Sequence, residues 1–428
     1  MDRRQFIGTA LIGGGVAAML TTSAKGAAPA VQGTVAKGWE SIKAAFAEGQ
    51  ANDPGGAQLC IYRHGQRVVD LWTGQDLLKD RPYTAESVTF LNSVSKGITA
   101  TAAHVLVRRG LLDVDAPVSR YWPEFAANGK ADITVKVLMS HRAGLFIFPP
   151  EAGITGLAHF DWERCTRALA GMAPMWPPGT AFRYHNVTFG YLVGELVRRQ
   201  SGKNVGQFIA DEFRTPLGLR LWLGDLPEGE DTATFAPQFS RLPPPKPNAL
   251  RESAIAAGVS LDDPLVKALL SSPGGNEEAV TGFLNSRAGH LGQIPAANII
   301  GNARSVAKLY AATLGEVDGL RLLDDATIEK ARTPQTDGLG QPSPLDRLPV
   351  SLPLRFGIGY ELDRTNVPFV GAGSFGHTGS GGKYACADPE TGVAIAYVAN
   401  NRAWVFGEGA DRRWVPWLKA VKDVLRTV

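Results

Sequence analysis

The chain has 428 residues, of which 44% are hydrophobic and 20% are charged, an ordinary composition for a globular protein. Its 44 basic and 41 acidic side chains leave a formal net charge of +3, which creates no long-range field to attract nucleic acid or an anionic membrane. The three cysteines, Cys60, Cys165 and Cys386, lack C-x-x-C spacing, so neither a disulfide framework nor a thiolate metal site is expected.

Residues 1–30 resemble a twin-arginine signal peptide. Arg3 and Arg4 precede an apolar stretch rich in glycine and alanine, and small residues continue to Ala30. This stretch is too short and too glycine-rich for a stable transmembrane helix, and no later apolar run is long enough to span a bilayer. We expect export of the folded chain, cleavage near Val31, and a periplasmic or secreted protein without stable membrane insertion.

The first elements of the mature chain are predicted to be a helix and a hairpin. Apolar residues at helical spacing predict a helix over residues 33–49. Residues 58–62 and 67–72 are typical of two β strands, and the turn sequence His64-Gly65-Gln66 between them predicts a hairpin.

Ser93 is the candidate nucleophile. Apolar residues alternate before it, at Val88 and Phe90, and an alanine-rich apolar run follows it, so an extended segment should lead into a buried helix over residues 94–110. Lys96 lies three residues later on the same helix face, where its amine can reach the Ser93 hydroxyl. A buried lysine with a lowered pKa can accept the serine proton, and the helix start favours developing negative charge.

The Ser-x-x-Lys spacing alone is a weak signal, because the chain contains it three times. Ser305 and Lys308 fall in an amphipathic helix whose polar face is predicted to be solvated. Ser380 and Lys383 form the third match. Other motifs are therefore needed to support a catalytic Ser93.

The middle of the chain is predicted to be a helical insertion. Helical patterns cover residues 133–141, 161–171, 187–200, 205–213 and 305–314. Residues 226–300 are the least periodic stretch, broken by Pro243–Pro247 and Ser272–Gly275, and long irregular connections of this kind often serve as lids or binding loops.

Strand signals return near the C-terminus. Residues 355–362, 383–387 and 393–399 are predicted strands, and residues 411–428 a final helix. The predicted fold is therefore α/β (α+β), with an antiparallel sheet flanked by N- and C-terminal helices and a large inserted helical lobe. The sheet domain would comprise residues 31–92 and 350–428, and the helical domain residues 93–349.

Tyr184 is the candidate proton carrier. It lies in a loop, residues 177–186, that leads directly into a predicted helix. A phenol beside a lysine can ionise enough to move protons between a serine and a leaving group. The alternative is structural: Asn186 caps the helix and Tyr184 packs on the core.

The glycine-rich segment at residues 375–382 is a candidate oxyanion site. Its glycines permit close backbone approach, and a backbone N–H there could act with the N–H of Ser93. Two other interpretations are rejected. Residues 371–376 fit G-x-G-x-x-G and approximate a nucleophile elbow, but a strand pattern follows where both motifs require a helix. No H-E-x-x-H pattern is present, so no metal site is predicted.

Three motifs in order carry a family resemblance. Ser93-Val94-Ser95-Lys96, Tyr184-His185-Asn186 and His377-Thr378-Gly379 resemble the three motifs of the serine β-lactamase and penicillin-binding-protein superfamily. Residues 110–118, 133–145 and 211–219 resemble its class C-like branch. Within that branch the chain is most similar to the family VIII carboxylesterases, which share the class C β-lactamase fold.

The resemblance implies roles for the catalytic positions. Ser93 would be acylated, and Lys96 and Tyr184 would relay its proton. The backbone N–H groups of Ser93 and Ser380 would form the oxyanion hole, and Asn186 would line the pocket.

One position departs from the β-lactamase pattern. Where His377 precedes Thr378 and Gly379 at the substrate-binding edge, β-lactamases commonly have a lysine that contributes positive field near a substrate carboxylate. A mostly neutral imidazole supplies less, which favours uncharged acyl esters. His185 also replaces a usually small residue, and the sequence assigns it no role.

The sequence thus predicts an exported serine carboxylesterase that acts on short or medium acyl esters through an acyl-Ser93 intermediate. It needs no cofactor, and its partner is a small-molecule ester. Alternatives of the same fold are a β-lactamase, a D-amino-acid peptidase or an amide hydrolase. A non-catalytic acyl- or peptidoglycan-binding protein is the alternative from another class. The sequence does not determine the oligomeric state.

Overall fold

The computed structural model describes residues 30–242, 248–271, 277–348, 354–404 and 409–427. Apart from Ala30, the expected signal peptide lies outside these residues, as do the breakers Pro243–Pro247 and Ser272–Gly275. The described chain is a mixed α/β protein built on an antiparallel sheet, which confirms the predicted fold class.

Seven strands form the main sheet, in the order β1-β3-β2-β12-β11-β10-β9, and every neighbouring pair is antiparallel. A short sheet, β6-β8-β7, lies beside the helical lobe, and β4 pairs with β5. The strands are β1 (Gln32–Val35), β2 (Ala57–Arg63), β3 (Gln66–Thr73), β4 (Gln75–Asp76), β5 (Arg81–Pro82), β6 (Thr89–Phe90), β7 (Leu221–Trp222), β8 (Ile300–Gly301), β9 (Glu361–Leu362), β10 (Phe375–Gly379), β11 (Lys383–Asp388) and β12 (Val393–Ala399).

Several helices begin at side chains that accept a hydrogen bond from the first turn, as Asp161, Asn302 and Asp324 do. Across the described ranges, none of the helices is both long and apolar enough to cross a membrane. The helices are α1 (Ser41–Gln50), α2 (Val94–Arg108), α3 (Val135–Met139), α4 (Trp162–Gly171), α5 (Thr188–Ser201), α6 (Val205–Ile209), α7 (Thr215–Leu217), α8 (Glu228–Ala233), α9 (Ala249–Ala256), α10 (Pro264–Ser271), α11 (Glu277–Leu284), α12 (Arg287–Leu291), α13 (Ala303–Leu314), α14 (Asp325–Arg332) and α15 (Val415–Leu425).

The main sheet is covered on both faces, and β12 shows how its sequence separates them. Val393, Ile395 and Tyr397 belong to the core under the terminal helices α1 and α15. Ala394 and Ala396 alternate with them and belong to the core shared with α2, α13 and the lobe. The small alanines let α13 lie close to the sheet.

Helix α2 is buried between the sheet and the lobe. It packs against β10 on one side and α5 on the other, and small residues such as Gly97, Ala100 and Ala103 allow this close double packing. The helix that carries the candidate nucleophile is therefore among the most firmly held elements of the protein.

Three predicted elements differ in extent. The chain forms strand β1 before α1 because Gly33, at φ 105°, lets residues 32–35 pair with β3, so the helix predicted over residues 33–49 begins at Ser41. The strand predicted over residues 355–362 shrinks to β9, since the chain turns at Gly359 (φ 86°). The final helix begins at Val415.

The region at residues 226–300 is more helical than predicted. It contains α8 to α12, each of five to eight residues. Helices this short complete too few turns to leave a clear periodic pattern, which explains why the sequence indicated an irregular stretch. Its service as a lid stays a prediction.

The second Ser-x-x-Lys match is not solvated surface, contrary to the prediction. Ser305 is buried, and its Oγ accepts the N–H of Arg220 at 2.8 Å. Lys308 Nζ donates to the carbonyl of Leu217 at 2.6 Å. Because α13 also packs on the sheet, this stretch of the predicted helical domain contacts both layers, and the division into two domains stays a prediction.

Candidate active site

Ser93 stands where an extended segment turns into α2. The N–H of Leu91 donates to the carbonyl of Ile299 at 2.8 Å, which ties the arriving strand to the lobe. Asn92 takes a left-handed conformation (φ 49°), and Ser93 then starts the helix at φ −69° and ψ −9°. The chain thus places the Ser93 hydroxyl, which is partly exposed, at the helix N-terminus.

Lys96 is fully buried directly beside that hydroxyl. Its Nζ lies 3.1 Å from Ser93 Oγ and donates to the carbonyl of Ala296 at 2.9 Å. Burial lowers the pKa of Lys96 well below its usual value, against a smaller upward effect from the Glu361 carboxylate. A neutral amine in this position can donate to Ala296 and accept the Ser93 proton on its lone pair.

Tyr184 completes the trio. Its ring centre lies 4.8 Å from Lys96 Nζ, and its phenol oxygen is buried. Burial raises the pKa of Tyr184, and the neighbouring Ser93 side chain offsets only part of this rise. The direction of the shift contradicts the prediction of a readily ionised phenol: burial favours the neutral form of Tyr184, and it also favours the neutral, basic form of Lys96.

Two histidines hold the Tyr184 loop. His141 (φ 63°) accepts the N–H of Arg183 on its carbonyl and the N–H of His185 on its Nδ1, both at 3.1 Å. His185 Nδ1 lies 2.7 Å from the carbonyl of Arg183, and its Nε2 accepts the N–H of Leu145 at 3.1 Å. Burial lowers the pKa of His185 to about 4 and the pKa of His141 well below its usual value, so both rings are neutral and hold the loop through hydrogen bonds. This gives His185 the role that the sequence left unassigned.

Aromatic rings fix the orientation of Tyr184. Its ring stacks on Phe356 at 5.9 Å and lies 5.1 Å from His141 and 6.0 Å from His377. His141 and Phe356 were not singled out from the sequence. In the sequence, His141 appears as a lone histidine at the end of a predicted helix, just before a loop, and this position was the available indication of its role.

Asn186 lies exposed at the end of the same loop. Helix α5 begins without a side-chain cap, so the alternative that Asn186 serves as a helix cap is wrong. Its expected position in the pocket lining stays a prediction.

Strand β10 brings the third motif against the nucleophile. A Cβ on Gly379 would lie 2.8 Å from the carbonyl oxygen of Leu91 and 3.3 Å from the nitrogen of Ser93, so only glycine permits this approach. Ser380 follows, and its carbonyl accepts the side-chain amide of Asn92 at 2.7 Å. The backbone segments of Ser93 and Ser380 therefore lie side by side, as an oxyanion hole requires.

His377 is fully buried rather than open to solvent. Its Nδ1 lies 2.5 Å from the carbonyl of Thr378, and burial lowers its pKa to about 4. The ring is thus neutral near pH 7, as predicted from the sequence for an imidazole at this position. Any contact of His377 with a substrate stays a prediction.

A buried ion pair supports β10 from the next strand. Glu361 pairs with Arg364 at 2.6 Å and accepts both the N–H and the hydroxyl of Thr378, at 2.8 and 2.7 Å. Burial raises the pKa of Glu361, but Arg364, His377 and these hydrogen bonds outweigh it and leave the pKa below its usual value. The signal in the sequence was a glutamate near the end of a predicted strand in which Arg355 is the other charged residue.

The described residues contain no group of three or more His, Cys, Asp or Glu side chains arranged to hold a metal ion. The chemistry that the arrangement itself supports is nucleophilic: a partly exposed hydroxyl lies 3.1 Å from a buried amine, with a buried phenol ring beside the amine and the Gly379–Ser380 backbone close by.

Comparison with known proteins gives three concordant results. A family model described as Beta-lactamase matches residues 42–415. Esterase/beta-lactamase LipL of Mycobacterium tuberculosis is 34% identical over 361 residues, which are 81% of this chain and 77% of LipL. The crystal structure of a family VIII carboxylesterase is similar with a TM-score of 0.77 and 30% identity, over 92% of this chain and 99% of that one. A penicillin-binding protein homologue from Caulobacter crescentus has a TM-score of 0.76 at 30% identity and the same coverage.

Proposed function

The chain belongs to the beta-lactamase family, and from this premise we propose that it is a carboxylesterase that cleaves short or medium acyl esters through an acyl-Ser93 intermediate. At the coarser level it is a serine hydrolase of the β-lactamase fold. The observation that carries the proposal is the buried amine of Lys96, 3.1 Å from the Ser93 hydroxyl.

Acylation begins with transfer of the Ser93 proton to Lys96. As the proton leaves, Ser93 Oγ bonds to the ester carbonyl carbon, and the carbonyl π electrons move onto oxygen. The N–H groups of Ser93 and Ser380 donate to this oxyanion, which develops at the positive end of α2.

The tetrahedral intermediate then collapses. The carbonyl re-forms, the bond to the alcohol oxygen breaks, and the alcohol takes a proton that passes from Lys96 through the Tyr184 phenol. A water molecule repeats the sequence on the acyl-Ser93 ester: Lys96 accepts its proton, the carboxylic acid leaves, and the Ser93 hydroxyl is restored.

The preference for esters rests on His377. A neutral, buried imidazole at this position adds little positive field, so a substrate needs no carboxylate to be held there. The name of the relative LipL carries both activities, esterase and beta-lactamase, and a family VIII carboxylesterase is among the similar structures. β-lactam or amide hydrolysis is accordingly the second candidate.

The decisive experiment measures p-nitrophenyl esters of two to eight acyl carbons alongside nitrocefin. We expect ester turnover to dominate and Ser93→Ala to lose at least about 1,000-fold in kcat/KM. Ser305→Ala, in the second Ser-x-x-Lys match, is the matched control and should retain activity. Dominant nitrocefin turnover would replace the esterase assignment with a β-lactamase.

Labelling separates the enzyme from a silent binding protein. A fluorophosphonate should add to Ser93, detected by mass spectrometry of the digested protein. Absence of labelling, together with absence of turnover on all substrates, would favour a non-catalytic acyl- or peptidoglycan-binding protein.

Export is part of the same proposal. It is supported by Arg3 and Arg4, the apolar stretch after them and the small residues that follow. Replacing both arginines with lysine should shift the protein from the periplasmic or secreted fraction to the cytoplasm. An unchanged distribution would exclude twin-arginine export.

A further inference from the structure

Asn92, the residue before the candidate nucleophile, bridges the two halves of the oxyanion site. It is 3% exposed and holds a left-handed backbone at φ 49°. Its side-chain amide donates to the carbonyl of Ser380 at 2.7 Å and to Oε1 of Gln238 at 3.2 Å. Both amide hydrogens are thus used, one on each of two distant segments.

Ser380 lies in the turn between β10 and β11, where the carbonyls of Gly381 and Gly382 accept from Arg413 and Trp414 and the carbonyl of Ser380 accepts from Asn92. On its N-terminal side, Gly379 pairs with Lys383 in the β10–β11 ladder. On its C-terminal side come Gly381 and Gly382, at φ 76° and 92°, which restrict the backbone little. The bond from Asn92 fixes the peptide group that follows Ser380. The backbone is therefore held on both sides of Ser380.

Gln238 holds Asn92 in turn. It is 1% exposed, its Nε2 donates to the carbonyl of Phe90 at 2.6 Å, and its Oε1 accepts from Asn92. Its own backbone is paired twice with the side chain of Asn285, at 2.9 and 2.7 Å. Gln238 therefore belongs to a rigid part of the 226–300 region, and it faces the segment that leads into Ser93.

Resting on the proposed function, we propose that Asn92 is a positioning residue that sets the distance and angle between the backbone N–H groups of Ser93 and Ser380, with Gln238 as its support. The amide of Asn92 belongs to the residue next to Ser93 and binds the carbonyl of Ser380. Movement of the Ser93 segment is therefore coupled to movement of the Ser380 segment. Oxyanion stabilisation depends on such fixed geometry, whereas ground-state binding of an ester depends on it far less.

The test uses Asn92→Gly, because glycine accepts φ 49° and removes only the amide. For p-nitrophenyl butyrate we expect kcat to fall about 10- to 100-fold with KM changed less than about threefold. The affinity of phenylboronic acid, whose adduct with Ser93 mimics the tetrahedral intermediate, should fall by a similar factor. The thermal midpoint should change little.

Asn128→Gly is the matched control. Asn128 also has a positive φ (55°) and also donates its amide to a main-chain carbonyl, that of Gly171, but it lies outside the site. It should keep kcat and boronate affinity. If Asn92→Gly does not fold, Gln238→Leu carries the same test with a smaller expected loss, about three- to tenfold. The losses in the double variant should add to less than the sum of the two single losses, because Asn92 and Gln238 share one hydrogen bond.

The outcomes separate this inference from the proposed function. If the wild-type protein turns over the ester but both Asn92→Gly and Gln238→Leu keep kcat and boronate affinity within twofold, the positioning role is wrong and the esterase stands. A loss that appears in KM alone, with unchanged boronate affinity, also overturns it. If the wild-type protein neither cleaves esters nor labels at Ser93, the proposed function itself fails.

Discussion

Lys96 Nζ lies 4.8 Å from the centre of the Tyr184 ring and 3.1 Å from Ser93 Oγ. Burial lowers the pKa of the amine and raises the pKa of the phenol, so the same dry environment favours the uncharged form of each. Lys96 can accept one proton while Tyr184 donates another, so that no single uncompensated charge remains in the site. In the proposed mechanism we therefore expect Lys96 to act as the base and Tyr184 as the proton donor.

Tyr184→Phe should therefore affect esters according to their leaving group. Ethoxide needs a proton to leave, so kcat/KM for an ethyl ester should fall about 100-fold or more, whereas p-nitrophenolate leaves unaided and its ester should lose less than about tenfold. Tyr121→Phe, a phenol outside the site, is the control. Equal losses on the two esters would show that Tyr184 does not protonate the leaving group.

Glu361→Gln should move the acid limb of the pH–rate profile to lower pH. The carboxylate raises the pKa of Lys96, so removing its charge lowers that pKa and keeps the amine deprotonated in more acidic solution. Glutamine retains an oxygen that can accept from Thr378. Glu195→Gln, a buried carboxylate paired with Arg198 and Arg199, is the control. A limb that stays in place or moves upward would contradict the electrostatic role of Glu361.

Gly379→Ala should abolish turnover without unfolding the protein. The added methyl would meet the carbonyl of Leu91 at 2.8 Å, so β10 must move away from Ser93 and the two oxyanion donors separate. We expect a loss of at least about 100-fold in kcat, the size seen when one oxyanion donor is removed. Gly171→Ala, where a Cβ meets nothing within 4 Å, should be silent. Near-normal kcat in Gly379→Ala would show that this approach is unimportant.

Buried histidines should make the fold sensitive to acid. His104 is buried against Tyr360 with its Nε2 2.7 Å from the carbonyl of Ile358, and burial lowers its pKa to about 4. An unfolded histidine titrates near 6.5, so between these values the unfolded chain binds a proton that the native chain does not. Stability is full above about pH 6.5 and falls as the pH drops toward 4.

Urea unfolding at pH 7 and pH 4.5 measures this effect. His104→Gln should reduce the difference in unfolding free energy between the two pH values by about 2 kcal/mol, since each pKa unit corresponds to about 1.4 kcal/mol. Asn128→Gly, which changes no titratable group, should leave the difference unchanged. An identical pH dependence in His104→Gln and wild type would exclude His104 as a contributor.

The sequence located the reacting groups better than the groups that hold them. Ser93, Lys96 and Tyr184 could be found because their side chains form motifs. The carbonyl of Ala296 could not, because a main-chain oxygen has no signature in the sequence and lies 200 residues from Lys96. Glu361 was hidden for a similar reason: its importance depends on Thr378, on a neighbouring strand.

The direction of the Tyr184 pKa shift was also beyond the sequence. Proximity to a lysine favours ionisation, whereas burial opposes it, and only the packing around Phe356 and His141 reveals which effect is larger. Asn186, which is exposed, and Ser305, which is buried, are two further residues whose surroundings the sequence did not reveal. Local pattern gave the type of element, and tertiary contacts decided which of its faces met water.

Strand β2 pairs with β12, so the middle of the main sheet joins residues 57–63 to residues 393–399. The ribosome must therefore synthesise most of the chain before these two strands can pair. Ser93 is synthesised early, and the segment of Ser380 likewise becomes available only late in synthesis. Such long-range pairing slows folding and leaves a strand edge uncovered during synthesis. A chain that ends before residue 393 consequently lacks β12, the strand that joins β2 to the β10–β11 hairpin beside Ser380.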